Sequence, residues 1–328
     1  MPHRDQTKNA QRRAAFTGED LREAKTRLSE LEPGQARIPA ALPEQAALEA
    51  DTFGWLARPR EYAHHPFHIR ALDPQPDQLD LYSDESATSA ADLLQSVLPT
   101  MHEQHWATGV LGLRITAWNC DGVDLRRPGS TALIRLHGAP KRAWRQAAAE
   151  LAQRAGAHDP ADVPWQTSPS AWTKLETHHD PYSPSRYDPS STWLTSGLLR
   201  RIRIFKSTVP TYCADGWPTR DTHRNWKFDI TYYEDLDPRI EHLRQALIDP
   251  DYGLPLSAQI LHEPDRVDRL VLRAVDGGPE SLLLYFSECS PGSYWAKDEV
   301  RAKEVRAHAE RVAAQPPLFA GREVVIQR

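Results

Sequence analysis

Residues 266–288, RVDRLVLRAVDGGPESLLLYFSE, contain two runs in which large apolar side chains recur at every second position. In the first run, Leu270 and Leu272 alternate with arginine and valine, and in the second, Leu282, Leu284 and Phe286 alternate with Leu283 and Tyr285. A period of two is typical of a strand with one buried face, and Asp-Gly-Gly-Pro between the runs supplies turn residues. The stretch therefore predicts a β-hairpin with one apolar face.

A helical pattern follows the hairpin. Ala302, Val305, Ala309 and Val312 recur at the three- and four-residue spacing of one helix face. A helix of this kind can cover the apolar face of its own hairpin, which gives a ββα unit.

A weaker copy of this pattern occurs earlier in the chain. It predicts strands at 79–82, 110–118 and 131–137, a helix at 86–98, and a second helix that begins at Pro140. We therefore predict an α+β protein in which a helical N-terminus precedes two ferredoxin-like modules, each a βαββα unit with an antiparallel sheet. The predicted boundaries are 1–58 for the helical N-terminal region, 59–160 for the first α+β module, 161–190 for a linker and 191–328 for the second α+β module.

The N-terminal region predicts three helices. Residues 8–31 form two short helices interrupted at Thr17 and Gly18, with Thr17 and Asp20 giving a capping-box-like start to the second. A third helix covers 42–56, with Pro43 in its first turn. The first helix is basic, as in a helix-turn-helix on DNA, but carboxylates neutralise the second, where a recognition helix would need hydrogen-bond donors. A partly docked helical pair is the preferred interpretation.

The same region carries a family resemblance. QRRAAFTGEDLREAKTRL at 11–28, followed by IPAALPEQAALEA at 38–50, resembles the opening of a group of uncharacterised proteins from high-GC Gram-positive bacteria. The resemblance is confined to this N-terminal stretch. It implies a lineage, and it assigns no activity and no catalytic residue.

The predicted linker contains the candidate metal ligands. His178, His179 and Asp180 lie together in a segment rich in proline, serine and aspartate, and imidazole and carboxylate groups are common ligands of divalent metals. The alternative is a set of exposed loop histidines without a ligand. The sequence has no HExxH, P-loop, GxSxG or paired CxxC motif that would favour a particular reaction. The sequence therefore predicts no cofactor, with a divalent metal at these three residues as the alternative.

A basic segment at the start of the second module supplies the candidate binding residues. Arg200, Arg201, Arg203 and Lys206 lie on the polar side of a segment predicted as a helix, or as a helix that runs into a strand. Trp217 follows in a loop-like stretch, and a tryptophan beside arginines can stack on a base or a partner side chain. The alternative for such a tryptophan is that it plugs the end of a sheet.

Composition limits the classes of function. The chain has 328 residues with 40% hydrophobic content, which suffices for two cores, and its net charge of -5 argues against a surface dedicated to nucleic acid. Three scattered cysteines fit a reducing compartment, and no signal peptide or membrane-spanning pattern is apparent. These features predict a cytoplasmic, non-catalytic binding or scaffold protein with a protein partner and no membrane association. A metal-dependent hydrolase and a nucleic-acid-binding protein are the alternatives.

Overall fold

The computed structural model of the chain describes residues 2–32, 34–57, 69–83, 87–102, 106–156, 159, 162–187, 189–218, 225–263, 266–289, 299–316 and 318–319. In chain order the elements are α1 Pro2–Thr17, α2 Leu21–Glu30, α3 Pro43–Leu56, β1 Ile69–Gln75, β2 Gln78–Ser83, α4 Ala87–Val97, β3 Thr100–His102, β4 Trp106–Thr108, β5 Arg114–Trp118, β6 Gly122–Arg126, β7 Leu133–His137, α5 Lys141–Ala155, α6 Pro164–Thr167, α7 Lys174–His179, α8 Pro184–Tyr187, α9 Thr192–Leu199, α10 Ile204–Ser207, β8 Thr211–Pro218, β9 Asn225–Tyr233, α11 Ile240–Leu247, β10 Leu256–Glu263, β11 Arg266–Ala274, β12 Ser281–Cys289 and α12 Glu299–Ala314.

The protein is mixed α+β, as predicted, and its two five-stranded sheets have the same topology. The strand order is β1-β2-β7-β6-β5 in the first sheet and β8-β9-β12-β11-β10 in the second. In both, the second strand runs parallel to the last one, whereas the other neighbours are antiparallel. Each half of the chain is thus a ββαβββα unit, with the short β3-β4 ribbon as an addition in the first.

The ferredoxin-like description is not confirmed. Both units begin with a hairpin before their first helix and hold five strands, including one parallel pair, whereas the prediction had βαββα with antiparallel sheets. The strands that sequence reasoning missed include β1 and β6. Asp73 and Pro74 interrupt β1, and β6 has only five residues, one of which is Asp124.

The hairpin that anchored the prediction is confirmed. Its strands β11 and β12 pair from Arg269 with Tyr285 to Arg273 with Ser281. The alternate residues Leu270, Leu272, Leu282 and Leu284 are fully buried. The helix predicted after the hairpin is α12, in which Val305, Ala309 and Val312 face the core.

Helices α2 and α3 begin and end close to the predicted positions, whereas α1 begins at Pro2, six residues before the predicted start at 8. The cap of α2 also differs from the prediction. The residue that caps α2 is Asp20, whose carboxylate accepts from the Glu23 amide while Glu23 reaches back to the Asp20 amide, so Thr17 is not the cap. Between α1 and α2, Gly18 has a φ of 73°, and a Cβ there would lie 2.3 Å from the Arg70 carbonyl oxygen. Glycine therefore allows the chain to turn directly against β1.

Helix α3 joins the two modules. The Gln45 amide group accepts from the Leu133 backbone nitrogen at 2.8 Å and donates to the Leu133 carbonyl at 3.1 Å, which fixes α3 on the first sheet. On the other side, the Phe53 ring lies 4.9 Å from the Trp226 ring and 5.8 Å from the Phe228 ring, both on β9. One continuous cluster of buried apolar side chains therefore includes residues of both modules.

A buried ion pair reinforces this junction. Arg200, directly after α9, donates to the Glu49 carboxylate of α3 through Nε at 2.7 Å and Nη2 at 2.6 Å, and both side chains are at most 1% exposed. Ser196 donates a further hydrogen bond to Glu49 at 2.6 Å. Charges buried at this depth are tolerated because each has several hydrogen-bonding partners.

The predicted linker packs against the first sheet through a second buried ion pair. Arg114 of β5 donates to the Glu176 carboxylate at 2.6 and 2.9 Å and to the carbonyls of Ser168 and Ala171 at 2.7 and 2.8 Å. Glu176 is also the N3 residue of α7 and forms a capping box with the N-cap residue Thr173. These contacts give residues 168–176 a defined position. Within the described ranges, no helix is both long and apolar enough to cross a bilayer.

Candidate binding surface on the second sheet

Alternate residues of β9, β11 and β12 point away from the core of the second module. We call this surface the outer face and define it by Lys227, Asp229, Arg269, Val271, Leu283 and Tyr285. All six side chains are half-buried, whereas the residues between them on the same strands are buried. The period of two in these strands explains the split, because successive side chains leave a strand on opposite sides.

Strand register brings three charged or aromatic groups together at the centre of the outer face. Tyr285 on β12 pairs with Arg269 on one side and with Asp229 on the other. The Lys227 Nζ lies 4.2 Å from the centroid of the Tyr285 ring, and the Arg269 Cζ lies 4.8 Å from it. Both distances fit cation–π contacts, which are worth about 0.5–1 kcal/mol each at exposed sites.

The outer face is positive with an apolar strip beside the tyrosine. Among the residues whose side chains the structure describes, this face and the adjoining, exposed Arg273 carry three cations against one carboxylate, Asp229, which lies 3.5 Å from Lys227 Nζ. The β8 register pairs Asp215, whose side chain lies outside the described part, with Asp229. Val271 and Leu283 are paired across β11 and β12 next to this charged row. Tyrosine and arginine are among the side chains that contribute most to protein interfaces, and the two aliphatic side chains add apolar area beside them.

The basic residues predicted to bind a partner lie inside the protein. Arg200, Arg201, Arg203 and Lys206 are between 0% and 8% exposed. Arg201 donates to the carbonyls of Tyr252 at 2.6 Å and Gly197 at 3.1 Å. Burial, with a smaller contribution from the neighbouring Arg200 cation, lowers the pKa of Arg201 to about 9. These side chains therefore form no exposed basic strip, and a binding role for them stays a prediction that their positions do not support.

Trp217, the remaining predicted binding residue, is part of β8. Its backbone pairs with Lys227 of the outer face, and its side chain lies outside the described part of the structure. The register thus brings Trp217, rather than the four basic residues, to the same sheet as the outer face.

The predicted metal ligands lie at the end of α7. The rings of His178 and His179 meet edge to face with centroids 5.2 Å apart, and the Asp180 carboxylate accepts from Arg186 Nε at 3.1 Å. Across the residues that the structure describes, no group of three or more histidine, cysteine, aspartate and glutamate side chains is placed to hold a metal ion. The metal hypothesis gains no support from this arrangement.

A second polar cluster, which sequence reasoning missed, lies on the first sheet. His137 stacks on Tyr82 with ring centroids 4.6 Å apart, and its nitrogens lie 3.7 Å from Asp80 and 3.4 Å from Asp121. Burial alone would lower the pKa of His137, but the two carboxylates outweigh burial and raise it. Burial and the nearby Asp80 raise the pKa of Tyr82 to about 12. The alternation in β2 was the available signal, since it places Asp80 and Tyr82 on one face.

A cavity of about 590 Å³ adjoins this cluster between α2 and the first sheet. Its lining carries four carboxylates and three guanidinium groups, which belong to Glu19, Asp20, Glu23, Asp73, Arg22, Arg27 and Arg70. Asp73 is already bonded to Arg27. Because carboxylates and guanidinium groups are present in nearly equal number, the cavity favours neither an anion nor a cation. The outer face of the second sheet is therefore the better defined candidate for a binding site.

Comparison with known proteins adds no assignment: no protein-family model matches the chain, and neither curated proteins nor solved structures give a significant match. The N-terminal resemblance to uncharacterised bacterial proteins stays a prediction. Function is therefore argued from the surface itself.

Proposed function

We propose that this protein is a non-catalytic binding protein that docks a protein partner on the outer face of its second sheet. The observation that supports this function most strongly is the Tyr285 ring, held half-exposed between Lys227 and Arg269. Tyrosine and arginine are enriched among interface residues whose truncation costs most binding energy.

The size of the face suits a protein partner. Five strands about 4.8 Å apart and nine residues of about 3.3 Å each span an area of roughly 500 Å². A standard interface buries about 800 Å² per partner. The sheet face would thus supply most of such an interface, and adjoining loops would supply the rest.

The charge of the face sets the chemistry of the partner. Because its described side chains carry three cations against one carboxylate, the complementary surface is acidic and carries apolar side chains opposite Val271 and Leu283. A nucleic acid fits less well because Asp229 stands beside Lys227, and the whole chain has a net charge of -5. We therefore choose an acidic protein over a nucleic acid.

The test is capture of the partner, followed by charge reversal. The tagged full chain is used to isolate bound material from cells that produce it, and the captured protein is then titrated against purified variants. Lys227→Glu combined with Arg269→Glu is expected to weaken binding at least tenfold. The matched control reverses two exposed arginines on α5 of the first module, Arg142→Glu with Arg154→Glu, and is expected to bind like the wild type.

Three outcomes would overturn the proposal. The first is a partner that binds the Lys227 and Arg269 variant as tightly as the wild type. The second is equal weakening by the control, which would indicate non-specific charge attraction. The third is the recovery of nucleic acid in place of protein.

A further inference from the structure

We infer that the partner adds an extended strand with acidic side chains to the second sheet along the edge of β10. This inference rests on the proposed function, and it specifies how the partner of the outer face binds. Pairing with a sheet edge supplies affinity through main-chain hydrogen bonds, while side chains on the faces supply specificity.

The edge of β10 differs from the other three edges of the two sheets. On β1, the carbonyls of Ile69 and Gln75 accept hydrogen bonds from the guanidinium groups of Arg203 and Arg200, respectively. β5 carries Arg114, which is bonded to the segment from Ser168 to Ala171. β8 has α10 and α12 packed against it. Among the described residues, β10 has a strand neighbour on one side only, which is β11.

The first six residues of β10 lack the usual protection of an exposed edge, whereas its end carries a register shift and Glu263. Residues 256–261 read LSAQIL, without a charged residue or a proline, and the pairing with β11 is regular until a shift after Leu261. Natural proteins protect edge strands with lysine, proline, bulges or a covering element, because an open edge pairs with other chains. By contrast, β1 contains Pro74 and a register shift, and β5 has a register shift after Ile115. Residues 256–261 thus resemble an interior strand, which has a neighbouring strand on both sides.

The pairing pattern shows which main-chain groups face the edge. The amide of Val275 donates to the carbonyl of Pro255 at 3.1 Å, so the pair 255 and 275 is hydrogen-bonded. Antiparallel pairs alternate between bonded and non-bonded, and the register is constant to Leu261. Residues 257, 259 and 261 therefore bond to β11. The amides and carbonyls of Ala258 and Ile260 point away from it, toward an incoming strand.

The side chains next to the edge favour an acidic strand over a second copy of this chain. Arg273 on β11 is exposed and pairs with Ser257, whose small side chain leaves the guanidinium accessible from the edge. Carboxylates on alternate residues of an incoming strand would lie toward Arg273 and Arg269 on the outer side of the sheet. Two copies joined through β10 would instead bring two sets of these arginines toward one another, and the single carboxylate of β10, Glu263 at its end, would not balance them.

The test uses synthetic peptides on the full chain. The probe is a fluorescent eight-residue peptide of alternating glutamate and valine, with an alternating lysine and valine peptide and an N-methylated acidic peptide as controls. We expect the acidic peptide to bind at least tenfold more tightly than either control, because the first control reverses the charge and the second cannot donate main-chain hydrogen bonds. Equal binding of all three would overturn the inference.

Variants of β10 extend the test to the captured partner. Ala258→Pro removes an amide that β11 does not use, so the fold is expected to persist while peptide and partner binding fall at least tenfold. Ser257→Glu, which leaves the backbone unchanged, is expected to weaken the acidic peptide and not the lysine peptide. Circular dichroism and the unfolding midpoint confirm that each variant is folded.

The outcomes separate the inference from the proposed function. A partner that is lost from the Lys227→Glu and Arg269→Glu variant but binds Ala258→Pro and Ser257→Glu normally overturns strand addition and leaves the proposed function intact. A dimer of the free chain that Ala258→Pro dissociates would also overturn the inference, because the edge would then be occupied by a second copy. Loss of binding in both sets supports both proposals.

Discussion

Replacing Glu49 with glutamine removes the negative charge at the junction of α3 and α9 and keeps the shape of the side chain. In the wild type, Glu49 accepts from Arg200 at 2.6 and 2.7 Å and from Ser196 at 2.6 Å, and neither charged side chain is more than 1% exposed. In Glu49→Gln the Arg200 cation stays buried and loses its counter-ion. Removing one partner of a buried ion pair costs about 3–5 kcal/mol, so we expect the free energy of unfolding to fall by that amount.

The matched control is the same substitution at an exposed ion pair. Glu241 on α11 bonds to Arg244 at 2.6 Å, and the Glu241 side chain is 51% exposed. Water can replace the lost contact there, so Glu241→Gln should cost less than about 1 kcal/mol. Urea unfolding followed by tryptophan fluorescence measures both values. If Glu49→Gln costs no more than Glu241→Gln, the buried pair does not hold α3 against the second module.

Three further predictions concern the packing and the pH dependence of the fold. Glu176→Gln removes the counter-ion of the buried Arg114 cation, so limited proteolysis should cleave residues 162–187 faster than in the wild type. An unchanged cleavage rate would show that this ion pair does not hold the segment in place. Phe53→Ala should lower the free energy of unfolding by about 3–5 kcal/mol in a urea titration, because it opens a cavity against β9. Burial lowers the pKa of His242 and His308 to about 4, so these side chains take up protons in the unfolded chain at a higher pH than in the folded protein. The free energy of unfolding should therefore decline as the pH falls from about 6.5 towards 4, by up to about 3 kcal/mol for His242. His308→Gln should make the unfolding midpoint depend less on pH over this range.

Local patterns in the sequence predicted the elements whose signal is contained within a few residues. The β11-β12 hairpin followed from alternation around a glycine turn, and α3 followed from Pro43 and a helical stripe. β1 was missed because Asp73 and Pro74 interrupt its apolar residues. Asp73 is bonded to Arg27 on α2, a partner 46 residues away that no local pattern indicates.

The residues of the outer face were not predicted as a binding site, although the sequence indicates part of their arrangement. The alternation in the hairpin already places Arg269 and Tyr285 on the side opposite the buried leucines. Lys227 joins them through the parallel pairing of β9 with β12, which depends on a crossover through α11 and two further strands. Arg200 was assigned to the surface because its charge suggested exposure, whereas its partner Glu49 lies 151 residues away in the sequence.

Side-chain footprinting of the complex with the captured partner tests the docking surface most directly. Hydroxyl radicals oxidise accessible tyrosines, and Tyr285 and Tyr82 are both half-buried on the outward side of their respective sheets. If the partner docks on the outer face, the oxidation rate of Tyr285 falls severalfold when the partner binds, and the rate of Tyr82 on the first sheet does not change. An unchanged rate at Tyr285, with or without protection of Tyr82, would contradict docking on the outer face.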